Sequence, residues 1–361
     1  MIRYGVGVSV VEAAKRRILK IFTENKYVIL SFSGGKDSLC LADVTVKTMQ
    51  QYNIPFSKLI VTFFDEEAMY PDVIKIVEEW RMRFLSLGAR FVWYCLQIKH
   101  YNCCNQLSND ETFICWDPRK VNVWVRPMPK FAVRNHPKFK MGMNYQTFAP
   151  IISKGLPTLT GVRLAESIQR EVCFCTEKDK LSGIVKPLYD WKDNDVWLYI
   201  LQNNVRIPDT YMYLYKVGVA KSKLRISQFF SIDTIKSLPK VLEFYPDLYQ
   251  RVLAREPNVE LAFLYWDTDM FRSGKQNKQF KEEEGGKDYK KLLKEEMVKA
   301  HANPQSYPGY KAAFKLYSKL YESDHPRLWA AVYRLLIAGD PKGREYRAIN
   351  KHIQTDRQRS L

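Results

Sequence analysis

Short apolar runs alternate with amphipathic segments along the first 205 residues. The apolar runs have the length and the aromatic or β-branched content of buried strands, and they lie at 27–32, 59–64, 90–95, 158–162 and 184–188. Flanking segments carry apolar residues at helical spacing, and they predict helices at 10–24, 39–51, 73–87 and 196–202. This alternation predicts a doubly wound α/β fold, in which helices cover both faces of a mainly parallel sheet.

The alternation stops in two places. Residues 97–153 are rich in Pro, Asn and aromatic side chains and are too long for an ordinary connection, which predicts an insertion that serves a functional site. Beyond residue 206 only helical periodicity remains, including a charged helix at 287–299 and an apolar helix at 325–337. We therefore expect an α/β domain over 1–205 that contains this insertion, and a basic helical region over 206–361.

The loop after the first strand has the sequence Ser-Gly-Gly-Lys-Asp-Ser, residues 33–38. In a strand–glycine loop–helix order, backbone N–H groups and the helix N-terminus bind phosphate. Gly34 and Gly35 permit a sharp turn and a close anion, Lys36 adds positive charge, and the two serines add hydroxyl donors. The spacing does not fit the Walker A pattern. An ordinary surface turn is the alternative interpretation.

The chain has a large positive charge. Its 361 residues carry a formal net charge of +18 and have a pI near 9.4, which favours an anionic partner larger than one nucleotide, nucleic acid first. The segment 272–361 holds 20 Lys or Arg against 11 Asp or Glu. A basic surface that only keeps the protein in solution is the alternative.

The segment 117–140 combines cations with aromatic residues. The segment contains seven Lys or Arg and a single acidic residue, Asp117. Trp124, Phe131 and Phe139 lie between these cations in the sequence. Aromatic platforms beside cations are typical of proteins that bind single-stranded nucleic acid. A lid that folds over a nucleotide is the alternative, and the residues do not distinguish the two.

Two further positions follow predicted strands. Asp65 comes directly after the second strand, at the end of the sheet where open parallel sheets bind ligands. Three roles are possible for its carboxylate: a contact with a ribose, a contact with a metal ion, or an acidic cap of the next helix. Gly161 and Arg163 follow a later strand in Thr-Gly-Val-Arg. Gly161 permits close approach of a ligand, and the Arg163 guanidinium suits bidentate binding of phosphate oxygens.

Three motifs occur in a fixed order, Ser-Gly-Gly-Lys-Asp-Ser, then Gly-Val-Arg-x-x-Glu-Ser, then Pro-Leu-x-Asp-Trp-x-x-x-Asp-Val-Trp. Over about residues 10–215 the chain resembles the phosphoadenosine phosphosulfate (PAPS) reductase family of PP-loop ATP pyrophosphatases. The resemblance implies an adenine nucleotide α-hydrolase-like fold. It also implies nucleotide contacts by Ser33, Gly34, Gly35, Lys36, Asp37, Ser38, Asp65, Gly161 and Arg163.

The resemblance implies an enzyme that splits ATP to AMP and pyrophosphate with Mg²⁺, activating a substrate for a reaction such as sulfur transfer. Lys36, Asp37 and Arg163 are the expected catalytic residues, and the nucleotide is ATP or a PAPS-like compound. PAPS reduction itself is the weakest alternative. The reductases use a cysteine in a C-terminal segment, whereas the last cysteine here is Cys175.

A second resemblance extends past the predicted sheet. Residues 214–227 and the later Asp-Thr-Asp at 267–269 are similar to the immunoglobulin-binding-regulator A branch, PAPS-reductase-like coactivators from prophages and mobile elements. That branch implies nucleic acid and a ParB-like protein as partners. The competing hypothesis is therefore a nucleotide-sensing transcriptional coactivator without catalysis.

The cysteines leave three hypotheses open. Cys103, Cys104, Cys115, Cys173 and Cys175 are candidate ligands of Zn²⁺ or an iron–sulfur cluster. Their Cys-Cys and Cys-x-Cys spacings differ from the usual Cys-x₂-Cys pattern. A thiol that carries sulfur and inert buried cysteines are the alternatives.

The expected location is the cytoplasm. An apolar run of about 18 residues, the length that crosses a membrane, does not occur in the sequence. The first residues lack the apolar core of a signal peptide, so the cysteines are expected to be reduced.

Overall fold

A computed structural model describes residues 7–106, 111–164, 183–266, 288–320, 326–340 and 343–360. The described residues form two compact units, the first up to residue 264 and the second from residue 265 onward. Among the described helices, none is long and apolar enough to cross a bilayer.

Seven strands lie among the described residues of the first unit: β1 (Val28–Phe32), β2 (Leu59–Phe64), β3 (Arg90–Tyr94), β4 (Lys99–Tyr101), β5 (Thr112–Ile114), β6 (Thr158–Leu159) and β7 (Ile184–Val185). Five of them form a sheet in the order β3-β2-β1-β6-β7, and every neighbouring pair is parallel. The chain runs outward from β1 to β3 and then returns to the other side of β1. The strand order therefore reverses between β1 and β6, the switch point at which open α/β sheets bind ligands.

The α-helices in the described part of the first unit are α1 (Val10–Glu24), α2 (Lys36–Gln51), α3 (Pro71–Ser86), α4 (Tyr145–Ser153), α5 (Asp193–Gln202), α6 (Thr210–Lys216), α7 (Ile232–Ile235), α8 (Leu238–Leu242), α9 (Pro246–Arg255) and α10 (Asn258–Tyr265). The parallel sheet with flanking helices confirms the predicted α/β fold.

Strands β6 and β7 are shorter than predicted. After Leu159 the backbone passes the first turn of α2, where a Cβ on Gly161 would lie 3.0 Å from the Asp37 carbonyl group.

The Pro-Leu-x-Asp-Trp motif fixes the first helix to the sheet. Asp190 accepts two hydrogen bonds of 2.8 Å from the Arg17 guanidinium, and Trp191 donates to the Val10 carbonyl at 3.2 Å. The Arg17 guanidinium also lies 4.2 Å above the Tyr189 ring. In this chain the motif therefore has a direct packing role.

The boundary between the compact units differs from the predicted one at residue 205. Residues 206–264 belong to the sheet unit, and one contact that joins them to it is made with the start of α3. Thr210 binds the Asp72 carboxylate at 2.6–2.8 Å through its amide and its hydroxyl. Helical periodicity alone gives no information about which unit a helix packs on.

The second unit contains four described helices: α11 (Tyr289–Ala302), α12 (Tyr310–Leu320), α13 (Pro326–Ala338) and α14 (Arg344–Ser360). Their apolar faces form one core, in which Leu293, Trp329 and Leu335 are buried. Gly309 is required before α12, since a Cβ there would lie 1.6 Å from the Leu335 carbonyl oxygen. This unit confirms the predicted helical C-terminal region.

Glu67 joins three separate segments of the first unit. Its fully buried carboxylate accepts hydrogen bonds from the Trp116 and Val125 amides of the insertion, at 2.6 and 3.2 Å. It also accepts one from Arg255 Nε of α9, at 2.7 Å. The residue adopts a φ of 65°, which is uncommon for a non-glycine residue. The contacts therefore hold a conformation that the local chain disfavours.

Replacing Arg255 with Met should lower the free energy of unfolding by about 3 kcal/mol or more, because the Glu67 carboxylate would remain buried without its cation. Urea denaturation followed by circular dichroism measures this change. The matched control is Arg206→Met, whose partner Glu79 lies 2.7 Å away with both side chains largely exposed. Its loss should stay below about 1 kcal/mol. Equal effects of the two substitutions would contradict the role given to the buried pair.

Candidate functional site

The loop between β1 and α2 lies at the switch point of the sheet. Gly34 has a φ of 73°, in the left-handed region that favours glycine. A Cβ on Gly34 would also lie 2.7 Å from Val77 Cγ2 of α3. Two independent constraints, backbone conformation and packing, therefore require glycine at this position.

The two serines of the loop close it on itself. Ser38 Oγ lies 3.0 Å from Ser33 Oγ and accepts a hydrogen bond of 3.2 Å from the Ser33 amide. The Ser38 hydroxyl also donates to the Gly35 carbonyl at 2.9 Å. The loop is thus pre-formed around the first turn of α2, where the helix leaves N–H groups without intrahelical partners.

Asp37 bridges two buried cations at the start of α2. Its Oδ2 accepts from Lys36 Nζ at 3.0 Å, and its Oδ1 accepts from Arg163 Nε at 2.5 Å. Arg163 also donates from Nη2 to Asp193 Oδ1 at 2.8 Å. The Lys36 and Arg163 side chains are only 3% and 1% exposed. The fold therefore brings together the three predicted catalytic residues.

Gly161 lies against the same turn of α2. A Cβ at this position would come within 3.0 Å of the Asp37 carbonyl and 3.1 Å of the Ser38 nitrogen. The close approach that glycine permits here is therefore to the helix backbone. A phosphate contact by Gly161 itself stays a prediction.

Asp65 is buried in a saturated set of contacts. Trp93 Nε1 donates to its Oδ2 at 2.8 Å, the Glu67 amide donates to its Oδ1 at 3.0 Å, and the Arg126 guanidinium pairs with Oδ1. The side chain does not cap α3, whose N-cap residue is Tyr70. The geometry gives Asp65 a role in anchoring the insertion, and a ribose or metal contact stays a prediction.

The acidic residues after β2 all bind the insertion. Besides Asp65 and Glu67, Glu66 accepts a hydrogen bond from the Tyr145 hydroxyl at 3.1 Å and lies 3.6 Å from His100. The insertion is thus tied to the sheet through three carboxylates, of which the sequence analysis associated one, Asp65, with a ligand. Arg126, which the sequence groups with the surface cations of 117–140, is an internal partner of Asp65.

Tyr211 is a component of the site that the sequence analysis missed. Its oxygen accepts the Lys36 amide hydrogen at 2.8 Å, at the start of α2. The residue lies 175 positions from Lys36 in the chain, on α6, beyond the predicted domain boundary. No local pattern of residues could have identified this contact.

The described cysteines are buried thiols. Cys103, Cys104 and Cys115 are at most 1% exposed and are free of disulfides. Burial, with Glu66, Glu67 and Asp65 nearby, raises the pKa of Cys115 well above its usual range, and a neutral thiol is a poor metal ligand. In the described part of the chain, no three His, Cys, Asp or Glu residues are grouped as metal ligands. Cys173 and Cys175 lie outside the described residues.

Mg²⁺ prefers oxygen ligands and usually binds through one or two carboxylates together with substrate phosphates. The carboxylate of the loop, Asp37, has both oxygens bonded to cations. Within the described ranges no other acidic group joins it in a ligand set of three. These residues do not form a Mg²⁺ site of their own, so a Mg²⁺ ion here would be bound mainly as the counterion of nucleotide phosphates.

The insertion exposes several cations. Lys120, Lys130, Arg134, Lys138 and Lys140 are exposed.

The three aromatic residues predicted to interleave with these cations differ in environment. Phe131 is 48% exposed, with the Arg81 guanidinium 4.0 Å from its ring, whereas Trp124 donates to the Asp117 carbonyl and Phe139 packs on Phe148. Of the three, Phe131 is therefore the one available for stacking.

Two solved structures show partial likeness at low sequence identity. The tRNA thiolase NcsA of Methanococcus maripaludis has a TM-score of 0.34 and 15% identity, over 70% of this chain and 80% of that one. The FMN adenylyltransferase of Candida glabrata has a TM-score of 0.33 and 15% identity, over 56% and 58%. These scores are low, and the assignment to a family rests on sequence matches.

Two curated proteins match by sequence. The YbdN protein of Escherichia coli (strain K12) is 26% identical over 281 residues, which cover 71% of this chain and 68% of YbdN. The adenosine 5′-phosphosulfate reductase of Neisseria meningitidis serogroup A is 46% identical over 55 residues, 15% of this chain and 22% of the reductase.

The model of one protein family covers the whole site described above. Described as the phosphoadenosine phosphosulfate reductase domain, it matches residues 27–219, more than half of the chain. The match includes the loop at 33–38, Asp65, Arg163 and Tyr211. It agrees with the resemblance carried by the three motifs and with the position of the loop at the switch point of a parallel sheet. The chain belongs to the phosphoadenosine phosphosulfate reductase domain family, whose members use adenine nucleotides.

Proposed function

We propose that the protein is an adenylating ATP pyrophosphatase. The observation that carries the proposal is the cluster that Arg163, from the segment after β6, forms with Lys36 and Asp37 at the start of α2. The cluster lies beside the loop at 33–38, within the part of the chain that the family model matches. Two cations and a helix N-terminus converge there, and this arrangement suits the phosphates of a nucleotide.

In the proposed reaction an acceptor oxygen attacks the α-phosphorus of ATP. The bond between that phosphorus and the oxygen bridging to the β-phosphorus breaks, so the acceptor receives AMP and pyrophosphate leaves with the bonding electron pair. Charge grows on pyrophosphate in the transition state. Amides of the first turn of α2 and the Lys36 ammonium would stabilise it, and Arg163 would hold a phosphate oxygen.

Asp37 positions both cations in this mechanism. Its carboxylate oxygens hold Lys36 and Arg163 in place before a ligand arrives, which lowers the cost of ordering them on binding. Asp193 holds the second cation from the other side, at 2.8 Å. Pre-organised donors of this kind supply much of the catalysis in phosphoryl and nucleotidyl transfer.

We propose nucleic acid as the acceptor, with adenylation as the first half of a sulfur transfer. The exposed cations of the insertion and the net charge of +18 support an anionic polymer. The buried described thiols argue against reduction of a sulfonucleotide by Cys103, Cys104 or Cys115, because that chemistry needs an accessible thiolate.

The second candidate is a nucleotide-sensing coactivator of the immunoglobulin-binding-regulator A branch. The same exposed cations favour it, since such a protein would also contact DNA. Binding of ATP without turnover, in the presence of DNA, would support this candidate over the enzyme. The ParB-like partner and the cytoplasmic location remain predictions.

Replacing Lys36 with Ala should reduce pyrophosphate release from ATP about 100-fold or more. The reason is that the negative charge developing on the departing pyrophosphate would no longer be stabilised by the buried Lys36 ammonium. A coupled assay of pyrophosphate, with Mg²⁺ and single-stranded DNA present, measures the rate. The matched control is Lys75→Ala, an exposed lysine on the neighbouring helix α3, which should leave the rate unchanged. Release that persists in Lys36→Ala would contradict the role of the loop.

Replacing Arg163 with Lys should lower kcat/KM for ATP by about 10- to 100-fold, since a single ammonium cannot reach both Asp37 and Asp193 in the bidentate manner of guanidinium. Steady-state kinetics over a range of ATP concentrations measures the change. Arg206→Lys, at an exposed ion pair with Glu79, serves as the control. Full activity of Arg163→Lys would show that the simultaneous hydrogen bonds of the guanidinium to two carboxylates are dispensable.

Removing Lys130, Arg134, Lys138 and Lys140 together, by substitution with Ala, should weaken binding of a single-stranded oligonucleotide. If all four contact phosphates, the slope of log K against log salt should become shallower by about 3. Fluorescence anisotropy at several salt concentrations measures the slope. The control removes four exposed cations elsewhere in the first unit, Lys75, Lys216, Lys240 and Arg251. Equal losses in both variants would indicate binding by net charge alone.

A further inference from the structure

The first amide of α2 is bonded to a side chain from a distant part of the chain. The Tyr211 hydroxyl oxygen lies 2.8 Å from the Lys36 nitrogen and accepts its hydrogen. A Cβ built on Gly35 would lie 3.4 Å from the same oxygen. The hydroxyl is therefore inside the loop at 33–38, at the place where a phosphate oxygen would meet the helix.

Contacts of the preceding residue and of a neighbouring ring fix the position of Tyr211. The preceding residue, Thr210, binds Asp72 of α3 through its amide and hydroxyl, and its hydroxyl lies 2.9 Å from the Tyr245 hydroxyl. The Trp197 ring packs edge-on against the Tyr211 ring at 5.9 Å. The Tyr211 side chain is 2% exposed, so it is a fixed component of the loop rather than a mobile surface group.

The Tyr211 hydroxyl has a hydrogen of its own to donate. Within the described residues, this hydroxyl makes one hydrogen bond, which it accepts from the Lys36 amide. Burial raises the pKa of Tyr211 far above its usual range, so the hydroxyl keeps its hydrogen at neutral pH. A hydroxyl that accepts one hydrogen bond is polarised toward donating another.

We propose that Tyr211 is a pyrophosphate-binding residue, whose hydroxyl accepts the Lys36 amide hydrogen and donates its own hydrogen to a phosphate oxygen. The phosphate oxygen would then be linked to the Lys36 amide through the Tyr211 hydroxyl rather than directly. This inference rests on the proposed function, because it names a further donor in the same loop. It also connects residues beyond 206 directly to nucleotide binding.

The test compares Tyr211→Phe with Tyr199→Phe by calorimetric titration with inorganic pyrophosphate, and with adenosine as a probe that lacks phosphate. Tyr199 is the matched control, since its buried hydroxyl donates to Asp43 at 2.8 Å on a later turn of α2. Each variant loses one buried hydrogen bond of a tyrosine. Tyr211→Phe should bind pyrophosphate about tenfold more weakly or worse, with adenosine binding unchanged. Tyr199→Phe should bind both probes as the wild type does.

The outcomes separate this inference from the proposed function. If the wild type binds pyrophosphate and Tyr211→Phe binds it equally well, the inference about Tyr211 is wrong and the proposed function stands. If the wild type does not bind pyrophosphate, both are wrong. Equal weakening in the two variants would show that Tyr211 acts only through stability. Should Tyr211→Phe not fold, fluorine NMR of fluorotyrosine-labelled wild type gives a second test, since pyrophosphate must shift the Tyr211 resonance and not that of Tyr199.

Discussion

The bridge from Asp37 to Lys36 and Arg163 is the interaction on which the site depends. It joins the start of α2 to the segment after β6, two parts of the chain that lie 126 residues apart in sequence. Asp193 extends the bridge to the start of α5. The bridge therefore connects three segments where the strand order of the sheet reverses, the position at which open α/β sheets bind ligands.

Buried charges are costly, and a protein that needed only stability would fill this region with apolar side chains. Lys36 and Arg163 are almost completely buried, and each is paired with the Asp37 carboxylate. The pair of Glu67 and Arg255 has a different purpose, because it ties the insertion and α9 to the end of β2. One set of buried charges lies at the loop at 33–38, and the other holds together the structure around it.

Local patterns predicted the parts of the fold that depend on local periodicity. The strands of the sheet, the loop at 33–38 and the helical region of the second unit follow from apolar spacing and glycine placement. Asp65 was associated with a ligand because it follows a strand, but its partners Trp93 and Arg126 lie 28 and 61 residues away, and periodicity carries no information about them. The compact unit that extends to residue 264 was missed for the same reason. Its anchor, Arg255, reaches Glu67 across 188 residues.

The charges of the site also bear on how it would distinguish its ligand. Lys36 and Arg163 are balanced by Asp37 and Asp193, so the cluster has little net charge of its own. Selection at close range would then depend on the orientation of the donors. In the proposed mechanism these are the amides of α2, the Lys36 and Arg163 side chains and the Tyr211 hydroxyl. The excess of +18 lies elsewhere in the chain, where it can attract anions over longer distances and in a salt-dependent way. Long-range attraction and close-range selection would thus be performed by different residues, which explains how a strongly basic protein can keep a nearly neutral nucleotide site.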